Sequence, residues 1–248
     1  MAELIATTKT KKVFRDGDKA IKVFNADFPK GDVLNEALIS ARVEEVGQIS
    51  VPRVLEVGVF EGKWSITFEY IEGKTLKQLM EENPEKLPEY MDKMVDLHLS
   101  ILTRQCPSLT KLKDKISIQI HELDDLNDVT KYDMRTQLDS MPKHYKLCHG
   151  DFNPSNIIVK EDGSMYVLDW VHASQGNASA DVARTYLLFC LCDQKKADMY
   201  MNLFCQKTGT AKKYVQSWLP IVAAAQLSKK RPEESDLLQQ WAGVCDYQ

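Results

Sequence analysis

Short runs of β-prone residues alternate with polar turns in the N-terminal part of the chain, up to Tyr70. The turn at Asp16, Gly17 and Asp18 joins two of these runs and is a hairpin signal, because aspartate and glycine readily adopt the backbone angles of tight turns. A second turn, at Gly62, joins two later runs. The pattern predicts strands at Leu4–Thr7, Lys11–Arg15, Ala20–Phe24, Arg53–Phe60 and Trp64–Tyr70.

One segment between these strands has helical spacing instead. From Asp32 to Val46, apolar residues recur at helical intervals, and Gly47 follows as a helix terminator. An antiparallel sheet that carries one helix accounts for this order of elements. The N-terminal part of the chain is therefore predicted to be β-rich.

After Gly73 the pattern becomes mainly helical. Thr75–Glu82 and Glu89–Leu102 have helical periodicity, and the prolines between them predict a break. Residues 111–140 are polar and compatible with helix, although no periodic pattern places their elements. Helices resume at Asp181 and are predicted to continue toward the C-terminal end.

The change of pattern predicts two lobes. Residues 1–72 are expected to form a β-rich N-lobe, and residues 73–248 a larger and mainly helical C-lobe. Neither a sequence repeat nor a low-complexity linker interrupts the chain. The predicted fold class is therefore α+β, with a small antiparallel sheet and one helix in the first lobe.

A short island of strand interrupts the helical part. Strands are predicted at Lys146–Cys148, Asn156–Lys160 and Met165–Leu168, and a turn with Gly163 joins the last two into a hairpin. Glycine and proline residues between the first two strands predict a tight, irregular loop there, which reads His-Gly-Asp-Phe-Asn-Pro.

Three oxygen-bearing side chains converge on this island. Asp151 lies in the loop, Asn156 follows five residues later, and the hairpin returns Asp169 toward Asn156. Magnesium prefers oxygen ligands and usually takes only one or two carboxylates, with phosphate and water completing its shell. Asn156 and Asp169 suit such a partial shell, and Asp151 is placed to accept a proton from an attacking hydroxyl. These parts are what phosphoryl transfer requires.

Charge and composition narrow the possible partners. The formal net charge of −4 and the isoelectric point near 5.8 argue against nucleic acid as the main partner. No apolar stretch approaches the ~20 residues that a membrane span requires. The six cysteines lack paired spacing, and the N-terminal residues lack the apolar core of a signal peptide. We therefore expect a cytoplasmic protein, whose oligomeric state the sequence leaves unknown.

The motif HGDFNPSN, followed by VLDW, resembles the signature of the aminoglycoside phosphotransferase and choline kinase group, relatives of the protein kinases. The resemblance implies a protein-kinase-like, two-lobed fold. It also implies that Asp151 is the catalytic base and that Asn156 and Asp169 bind the metal. His149 resembles the histidine that braces the catalytic loop, and Asp181 resembles a buried aspartate that holds this loop from below.

The resemblance extends into the N-lobe, which it identifies as the nucleotide-binding part. Lys22 corresponds to the third-strand lysine that reaches the α- and β-phosphates, and Glu36 resembles its ion-pair partner. The backbone of Glu69 and Ile71 corresponds to the segment that hydrogen-bonds adenine. One departure is the loop at 6–11, which lacks the glycines that protein kinases place over the phosphates.

The resemblance thus implies a magnesium-dependent phosphotransferase that uses ATP or GTP. Its C-lobe would carry the catalytic loop and substrate-binding helices, and the γ-phosphoryl group would move to a hydroxyl of a small molecule, an aminoglycoside or similar amino sugar or amino alcohol. The alternative is a catalytically silent, nucleotide-binding regulatory protein of the same fold, for which the glycine-free loop is the best support. Neither membrane nor nucleic acid is expected as a partner.

The acceptor remains open at this point. An aminoglycoside would favour an acidic pocket, whereas a choline-like acceptor would favour an aromatic cage around its ammonium. The acidic candidates, which a solvated charged face explains better than a pocket does, are Glu233, Glu234, Asp236 and Asp246. The aromatic candidates are Trp170, Tyr186, Trp218 and Trp241.

Overall fold

In the computed structural model, residues 2–124 and 126–242 are described. The chain forms two compact units, each built from two separate segments. The strand-rich unit consists of the described residues up to Pro84 together with Pro154–His172. The helical unit consists of Glu85–Asn153 together with the described residues from Ala173 onward. The predicted functional division at residue 72 stays a prediction.

The strand-rich unit contains a five-stranded antiparallel sheet. Its strands stand in the order β1-β2-β3-β5-β4. The turn at Gly17 connects β2 to β3, and the turn at Gly62 connects β4 to β5. Both glycines have a positive φ, which tight turns require. The strands are β1 (Glu3–Thr7), β2 (Lys11–Asp16), β3 (Lys19–Phe24), β4 (Val54–Phe60) and β5 (Lys63–Glu69).

One helix, α1 (Lys30–Val46), packs on β4 and β5. Its buried side chains recur at intervals of three and four residues and are Val33, Glu36, Ala37, Ser40 and Val43. Phe24 and Ile66 from the sheet join Val33 and Ala37 in the core of this unit. Glu36 therefore lies on the apolar, sheet-facing side of α1, where a carboxylate requires a partner.

A second, smaller sheet completes the strand-rich unit. Strands β6 (Lys74–Thr75), β8 (Ile157–Val159) and β9 (Met165–Val167) pair in the order β6-β8-β9. A Cβ atom at Gly73 would lie 2.4 Å from the Val159 carbonyl oxygen, so only glycine fits the approach of β6 to β8. Helix α2 (Leu76–Glu82) follows directly, with a capping box on Thr75.

The helical unit contains eight described helices and one two-stranded sheet. Strand β7 (Lys146–Cys148) pairs antiparallel with β10 (Ser174–Gly176). The largest fully buried side chains of this unit include Trp218, Tyr200 and Phe152. The helices are α3 (Leu87–Leu102), α4 (Leu112–His121), α5 (Asp128–Ser140), α6 (Ala178–Cys190), α7 (Gln194–Thr208), α8 (Lys212–Gln216), α9 (Leu219–Leu227) and α10 (Ser235–Ala242).

The observed elements refine the predicted ones in three places. The polar residues 111–140 contain α4 and α5. Asn156 lies at the end of a short 3₁₀ turn, Pro154–Asn156, rather than at the start of a strand, because Pro154 favours a turn. Strand β7 pairs with β10, which the sequence pattern did not indicate, and not with the β8–β9 hairpin. None of the described helices is both long and apolar enough to cross a membrane.

Candidate active site

The strand-rich unit brings Lys22 and Glu36 together. Lys22 lies on β3, and its ammonium donates a hydrogen bond to Glu36 Oε1 on the buried face of α1. Both side chains are largely shielded from solvent, with exposed fractions of 11% and 4%. Glu44, on the same helix, instead accepts a hydrogen bond from the backbone N–H of Val54. Among these helix glutamates, Glu36 is therefore the partner of Lys22.

Asp169 joins this ion pair. It follows β9 at a backbone φ of +59°, an angle that is uncommon for residues other than glycine. Lys22 Nζ lies 2.9 Å from Asp169 Oδ1. Burial alone would raise the pKa of Asp169, but the charges of Lys22 and Lys11 outweigh burial and hold the pKa well below its usual range. The carboxylate is therefore ionised at neutral pH and able to attract cations.

Lys11 is a member of this cluster that the sequence patterns did not single out. Its Nζ lies 3.7 Å from Glu36 Oε2 and 3.7 Å from Asp169 Oδ1. The strand register offers a signal, because Lys22 pairs with Val13, and Lys11 is two residues from Val13 on the same face of β2. Burial and the Lys22 charge lower the pKa of Lys11.

The glycine-free loop between β1 and β2 is a tight turn. The Thr8 N–H donates to the Lys11 carbonyl at 2.8 Å, and the Thr8 hydroxyl accepts a hydrogen bond from the Lys11 N–H at 3.2 Å. Thr8 therefore shapes the turn that leads into Lys11. The charged group that this turn supplies to the cluster is the Lys11 ammonium.

The pair Asn156 and Asp169 offers oxygen donors of the kind that magnesium uses. The Leu168 N–H donates to the Asn156 carbonyl at 2.8 Å, which fixes the backbone of Asn156 beside the residue that precedes Asp169. One carboxylate and one carboxamide form a partial donor set, such as magnesium completes with phosphate oxygens and water. These residues therefore fit the implied metal, and their roles as ligands stay a prediction.

The segment predicted to contact adenine begins at the end of β5, an inner strand of the five-stranded sheet. The Glu69 N–H donates to the Arg53 carbonyl at 2.9 Å, and the Tyr70 N–H donates to the Asp18 carbonyl at 2.8 Å. The predicted adenine contacts therefore rest on the other backbone groups between Glu69 and Ile71. These contacts also stay a prediction.

In the helical unit, Asp181 holds the loop that follows β7. Its carboxylate accepts hydrogen bonds from the backbone N–H groups of His149 and Gly150, both at 2.7 Å. Burial would raise the pKa of Asp181, but hydrogen bonding to His98 and the loop reverses this effect, and the pKa is lowered. Gly150 has a positive φ of 77°, which glycine adopts without strain.

His98 and Tyr200 extend this support below the loop. His98 Nε2 lies 3.1 Å from Asp181 Oδ2, and its Nδ1 lies 2.6 Å from the Tyr200 hydroxyl. His98 also stacks on Phe152, with ring centroids 4.1 Å apart. His98 is fully buried. It is therefore a structural histidine, and Tyr200 is a supporting residue that carried no sequence signal.

Asp151 is the partly exposed carboxylate of this loop, with 26% of its side chain accessible to solvent. Its N–H donates to His149 Nδ1 at 3.1 Å, so the buried His149 ring fixes the backbone of Asp151. Asn153 Nδ2 donates to the Asp151 carbonyl at 2.9 Å. Arg184 Nη2 lies 3.7 Å from Asp151 Oδ1. Asp151 is thus a positioned carboxylate beside a guanidinium.

Helix α6 organises the loop through three side chains on one face. Asp181, Arg184 and Thr185 stand at helical spacing i, i+3 and i+4. Asp181 binds the start of the loop, Arg184 lies beside Asp151, and the Thr185 hydroxyl donates to the Phe152 carbonyl at 2.9 Å. The spacing in Asp-Val-Ala-Arg-Thr is a signal that could have identified Arg184 and Thr185 from the sequence.

Comparison with known families decides the classification. The sequence model of the phosphotransferase enzyme family matches residues 8–204, which is more than half of the chain. The chain belongs to the phosphotransferase enzyme family. A search of curated proteins found no match to this chain.

Solved structures of phosphotransferases share the fold of this chain. A thermostable mutant of aminoglycoside phosphotransferase APH(4)-Ia, in ternary complex with AMP-PNP and hygromycin B, is 16% identical with a TM-score of 0.72, and the alignment covers 99% of this chain and 92% of that chain. Choline kinase LicA from Streptococcus pneumoniae is 14% identical with a TM-score of 0.68, over 100% and 94%. The predicted family resemblance and the protein-kinase-like α+β fold are therefore confirmed.

The acceptor candidates of this phosphotransferase do not assemble as the sequence suggested. The Glu234 carboxylate accepts hydrogen bonds from Gln226 and from Arg231, the latter at 2.9 Å. Glu233 and Asp236 are exposed, and Asp246 lies outside the described residues. Among the described residues, Glu234 is thus the acidic candidate that is partly buried, and it is paired with a cation.

The aromatic candidates of the phosphotransferase are likewise engaged in packing. Trp218 is fully buried in the helical unit. Tyr186 and Trp241 stack with ring centroids 6.2 Å apart. Trp170, in the strand-rich unit, donates its indole N–H to the Val167 carbonyl at 2.9 Å. These contacts do not support an aromatic cage built from the four residues.

Proposed function

We propose that this member of the phosphotransferase enzyme family is a kinase of a small molecule. It transfers the γ-phosphoryl group of ATP or GTP, with magnesium, to a hydroxyl group of the acceptor. The observation that carries the proposal is the joint ion pair of Lys22 with Glu36 and Asp169, since it unites residues far apart in sequence into one charged cluster. Phosphoryl transfer depends on such positioned charges far more than on covalent help from the protein.

Lys22 and Lys11 are proposed to bind the phosphates of the nucleotide. The Lys22 ammonium is held by Glu36 and Asp169, whose charges overcome burial and raise its pKa above the ordinary value. Lys22 therefore keeps its positive charge at neutral pH, as an ammonium that binds phosphate must. Lys11 adds a second ammonium in the same cluster, which compensates for the missing glycine-rich loop.

Asn156 and Asp169 are proposed to hold magnesium. When bound, the metal would neutralise charge on the phosphates of the nucleotide. The ionised Asp169 carboxylate supplies the negative charge of the site, and the Asn156 carboxamide supplies a neutral oxygen donor.

Asp151 is proposed as the catalytic base. The acceptor hydroxyl oxygen forms a bond to the γ-phosphorus while the bond from this phosphorus to the bridging oxygen of the nucleoside diphosphate breaks. The hydroxyl proton passes to the Asp151 carboxylate. The His149 and Gly150 N–H groups donate to Asp181, and the Phe152 carbonyl accepts from Thr185. These hydrogen bonds keep the loop rigid, so little reorganisation is required at this step.

The class of acceptor is the finer part of the proposal. The solved structures that share the fold include one with hygromycin B and one of a choline kinase. An aminoglycoside or amino alcohol is therefore the acceptor suggested by the relatives.

Release of ADP or GDP tests this proposal. The wild-type protein is incubated with magnesium and ATP or GTP and with small hydroxyl compounds of different charge, and Asp151→Asn serves as the matched variant. Acceptor-stimulated release that is lost in the variant supports the kinase. Tight nucleotide binding without stimulation by any acceptor would favour the regulatory alternative, and absence of nucleotide binding would overturn both.

A further inference from the structure

A cleft in the helical unit lies at the start of β7. It has a volume of about 140 Å³ and is formed by the first turn of α4, by residues 142–145, and by the end of β10. Trp218, which precedes α9, completes the lining. All of these segments belong to the helical unit. The lining residues differ from those proposed for phosphoryl transfer, so the cleft requires its own explanation.

Hydrogen bonds and close packing hold the walls of the cleft in place. The Gln175 N–H donates to the Thr110 carbonyl at 3.0 Å, which joins β10 to the residues before α4. A Cβ atom at Gly176 would lie 2.4 Å from Leu112 Cβ, so glycine is required where β10 passes α4. Asn177 Nδ2 donates to the Tyr214 hydroxyl at 2.7 Å. The cleft is therefore preformed, and a ligand would require little rearrangement of its walls.

Trp218 brings an unsatisfied donor to the cleft. Its side chain is fully buried, and its indole Nε1 has no hydrogen-bond partner among the residues that the structure describes. The buried indole N–H of Trp170 does find an acceptor, the Val167 carbonyl at 2.9 Å. Leaving a buried donor without an acceptor is unfavourable. Because Trp218 lines the cleft, an oxygen atom of a bound ligand would supply the missing acceptor.

The N-terminal end of α4 adds backbone donors to the same cleft. The first hydrogen bond within this helix runs from the Lys115 N–H to the Lys111 carbonyl at 3.1 Å. In the described part of the chain, no side chain caps the N–H groups of the first turn. Such a helix end carries a partial positive charge and attracts anions. Leu112, the first residue of α4, lines the cleft, so this charge acts on a ligand bound there.

The charged side chains of the lining are mainly basic. Lys111, Lys143 and His144 line the cleft and are exposed. Lys113 also lines it, but its ammonium is already bound by two backbone carbonyls. Asp114 is the acidic residue of the lining and is exposed. The lining therefore favours a ligand of negative charge over one of positive charge.

We propose that this cleft binds a small organic anion, a compact apolar group that carries one carboxylate or phosphate. A cavity of about 150 Å³ holds a benzene ring, which sets the size of the apolar group. Leu112 and Pro142 supply apolar contacts for it. The anionic oxygens accept hydrogen bonds from the Trp218 indole and from the first turn of α4, and Lys111 and Lys143 attract them from the exposed side. This site is separate from the proposed kinase activity and goes beyond it.

Five small probes test the chemistry of the ligand in titrations of the full chain, followed in ¹H–¹⁵N spectra. Benzoate and phenyl phosphate carry a ring and an anion. Benzyl alcohol and benzylamine carry the ring with a neutral or a positive group, and acetate carries the anion alone. We expect benzoate or phenyl phosphate to bind with a Kd of about 1 mM or lower, and at least about tenfold more tightly than the other three. The two anionic ring compounds distinguish carboxylate from phosphate recognition.

Variants at exposed positions assign the binding to the cleft. Lys111→Gln and Lys143→Gln should each weaken binding of the preferred anion about two- to fivefold, because each removes an attractive charge. Asp114→Asn should strengthen binding about twofold, because it removes a repulsive charge. The matched control is Lys195→Gln, since Lys195 is exposed on α7 and lies outside the lining. The control should bind the anion as the wild type does.

Trp218 provides a test of the buried end of the cleft. Trp218→Phe keeps an aromatic ring but removes the N–H donor, and it should weaken binding of the preferred anion about tenfold. The unfolding midpoint of this variant shows whether it is folded. If it does not fold, the lysine variants and Asp114→Asn carry the test, because their side chains are exposed.

Three results would overturn the inference. The first is binding of benzyl alcohol, benzylamine or acetate as tightly as of the anionic ring compounds. The second is a Kd above about 10 mM for both benzoate and phenyl phosphate. The third is equal weakening by Lys195→Gln and by the two lining lysines, since the effect would then be general electrostatics. None of these measurements depends on turnover, so failure of the proposed kinase activity would leave this inference intact.

Discussion

The charged groups of the two units differ in how their surroundings shift the pKa of buried lysines. In the strand-rich unit, Lys11 and Lys22 meet two carboxylates, Glu36 and Asp169. The pKa of Lys22 is raised there, because the two carboxylates outweigh the effect of burial. This cluster balances its own charge, with two ammonium groups against two carboxylates.

In the helical unit, Arg184 Nη2 lies 3.7 Å from Asp151 Oδ1, and the charge of Arg184 acts on Lys115 and Lys229. The pKa values of both lysines are lowered, because burial and the guanidinium outweigh the attraction of Asp181 on Lys115 and of Asp151 on Lys229. The comparison teaches that burial lowers the pKa of a lysine, and that the charges and hydrogen bonds of two carboxylates reverse this effect at Lys22.

The largest effect is expected at Asp169. Asp169→Asn removes the one carboxylate of the proposed magnesium site, and turnover should fall about 1000-fold or more, since metal-assisted charge stabilisation supplies several kcal/mol. Steady-state turnover as a function of magnesium concentration checks this. Asp162→Asn, in the β8–β9 turn where Asp162 bonds Ser164, is the matched control and should retain normal turnover. Normal turnover in Asp169→Asn would remove the proposed metal site.

A stability effect is expected from the support below the catalytic loop. Asp181→Asn loses the buried carboxylate that accepts two N–H bonds at 2.7 Å, and the free energy of unfolding should fall by about 3 kcal/mol. Because the pKa of Asp181 is lowered in the folded state, its contribution is complete above the unfolded pKa of about 4 and is lost at lower pH. Urea unfolding at pH 7 measures the difference.

The control for Asp181 is Asp198→Asn on α7. Asp198 accepts a hydrogen bond from Gln194 at 3.1 Å at an exposed site, so its loss should cost less than about 1 kcal/mol. Equal unfolding midpoints for Asp181→Asn and the wild type would contradict the assigned support of the loop.

The two lysines of the balanced cluster should differ from their neighbour on β2. Lys22→Met and Lys11→Met are each expected to weaken nucleotide binding about 10- to 100-fold, because each removes a charged donor to phosphate. Lys12 is exposed and alternates to the other face of β2, so Lys12→Met should bind nucleotide normally. Calorimetry with AMP-PNP measures the nucleotide affinity of the three variants. Normal binding by Lys11→Met would leave Lys22 as the only phosphate lysine of this set.

The smallest effect is a pH dependence of stability that comes from Lys229, whose pKa burial and the charge of Arg184 lower to about 7. Urea unfolding of the wild type and of Lys229→Gln between pH 7 and pH 10 measures this dependence, and an equal dependence in both proteins would contradict it. The folded pKa of Lys229 lies below its ordinary value of 10.5, so the unfolded chain binds more protons between pH 7 and that value. This group therefore makes the free energy of unfolding rise with pH across that window. The effect of burial on Lys229 is thus opposite to the effect of the carboxylates on Lys22.

Much of the strand-rich unit could be predicted because its information is local. The alternation along β2 and β3, the turn at Gly17 and the helical spacing of α1 predict elements within one or two residues of those observed. Lys22 and Glu36 follow from that pattern together with the family motif. Lys11 could not be found in this way, because no motif marks it and only the strand register places it beside Lys22.

The position of Lys115 and Lys229 relative to Arg184 could not be predicted from the sequence. Lys115, Arg184 and Lys229 come from segments far apart in the chain, and helix packing alone brings them together. The sequence contains 32 lysine and arginine residues, and no local pattern tells which of them become buried. The sequence likewise does not tell which acidic residues near the C-terminal end are paired. In the structure, Glu234 forms an ion pair with Arg231, which argues against an acidic pocket at Glu233 and Glu234.

The most direct test of the central claim is nucleoside diphosphate release by the wild type and by Asp151→Asn, with magnesium, ATP or GTP, and acceptors of negative, neutral and positive charge. The account predicts release that an acceptor stimulates in the wild type and that falls about 100- to 10,000-fold in Asp151→Asn, with nucleotide binding and the unfolding midpoint unchanged. Stimulated release that persists in a folded Asp151→Asn protein would contradict the assignment of Asp151 as the base.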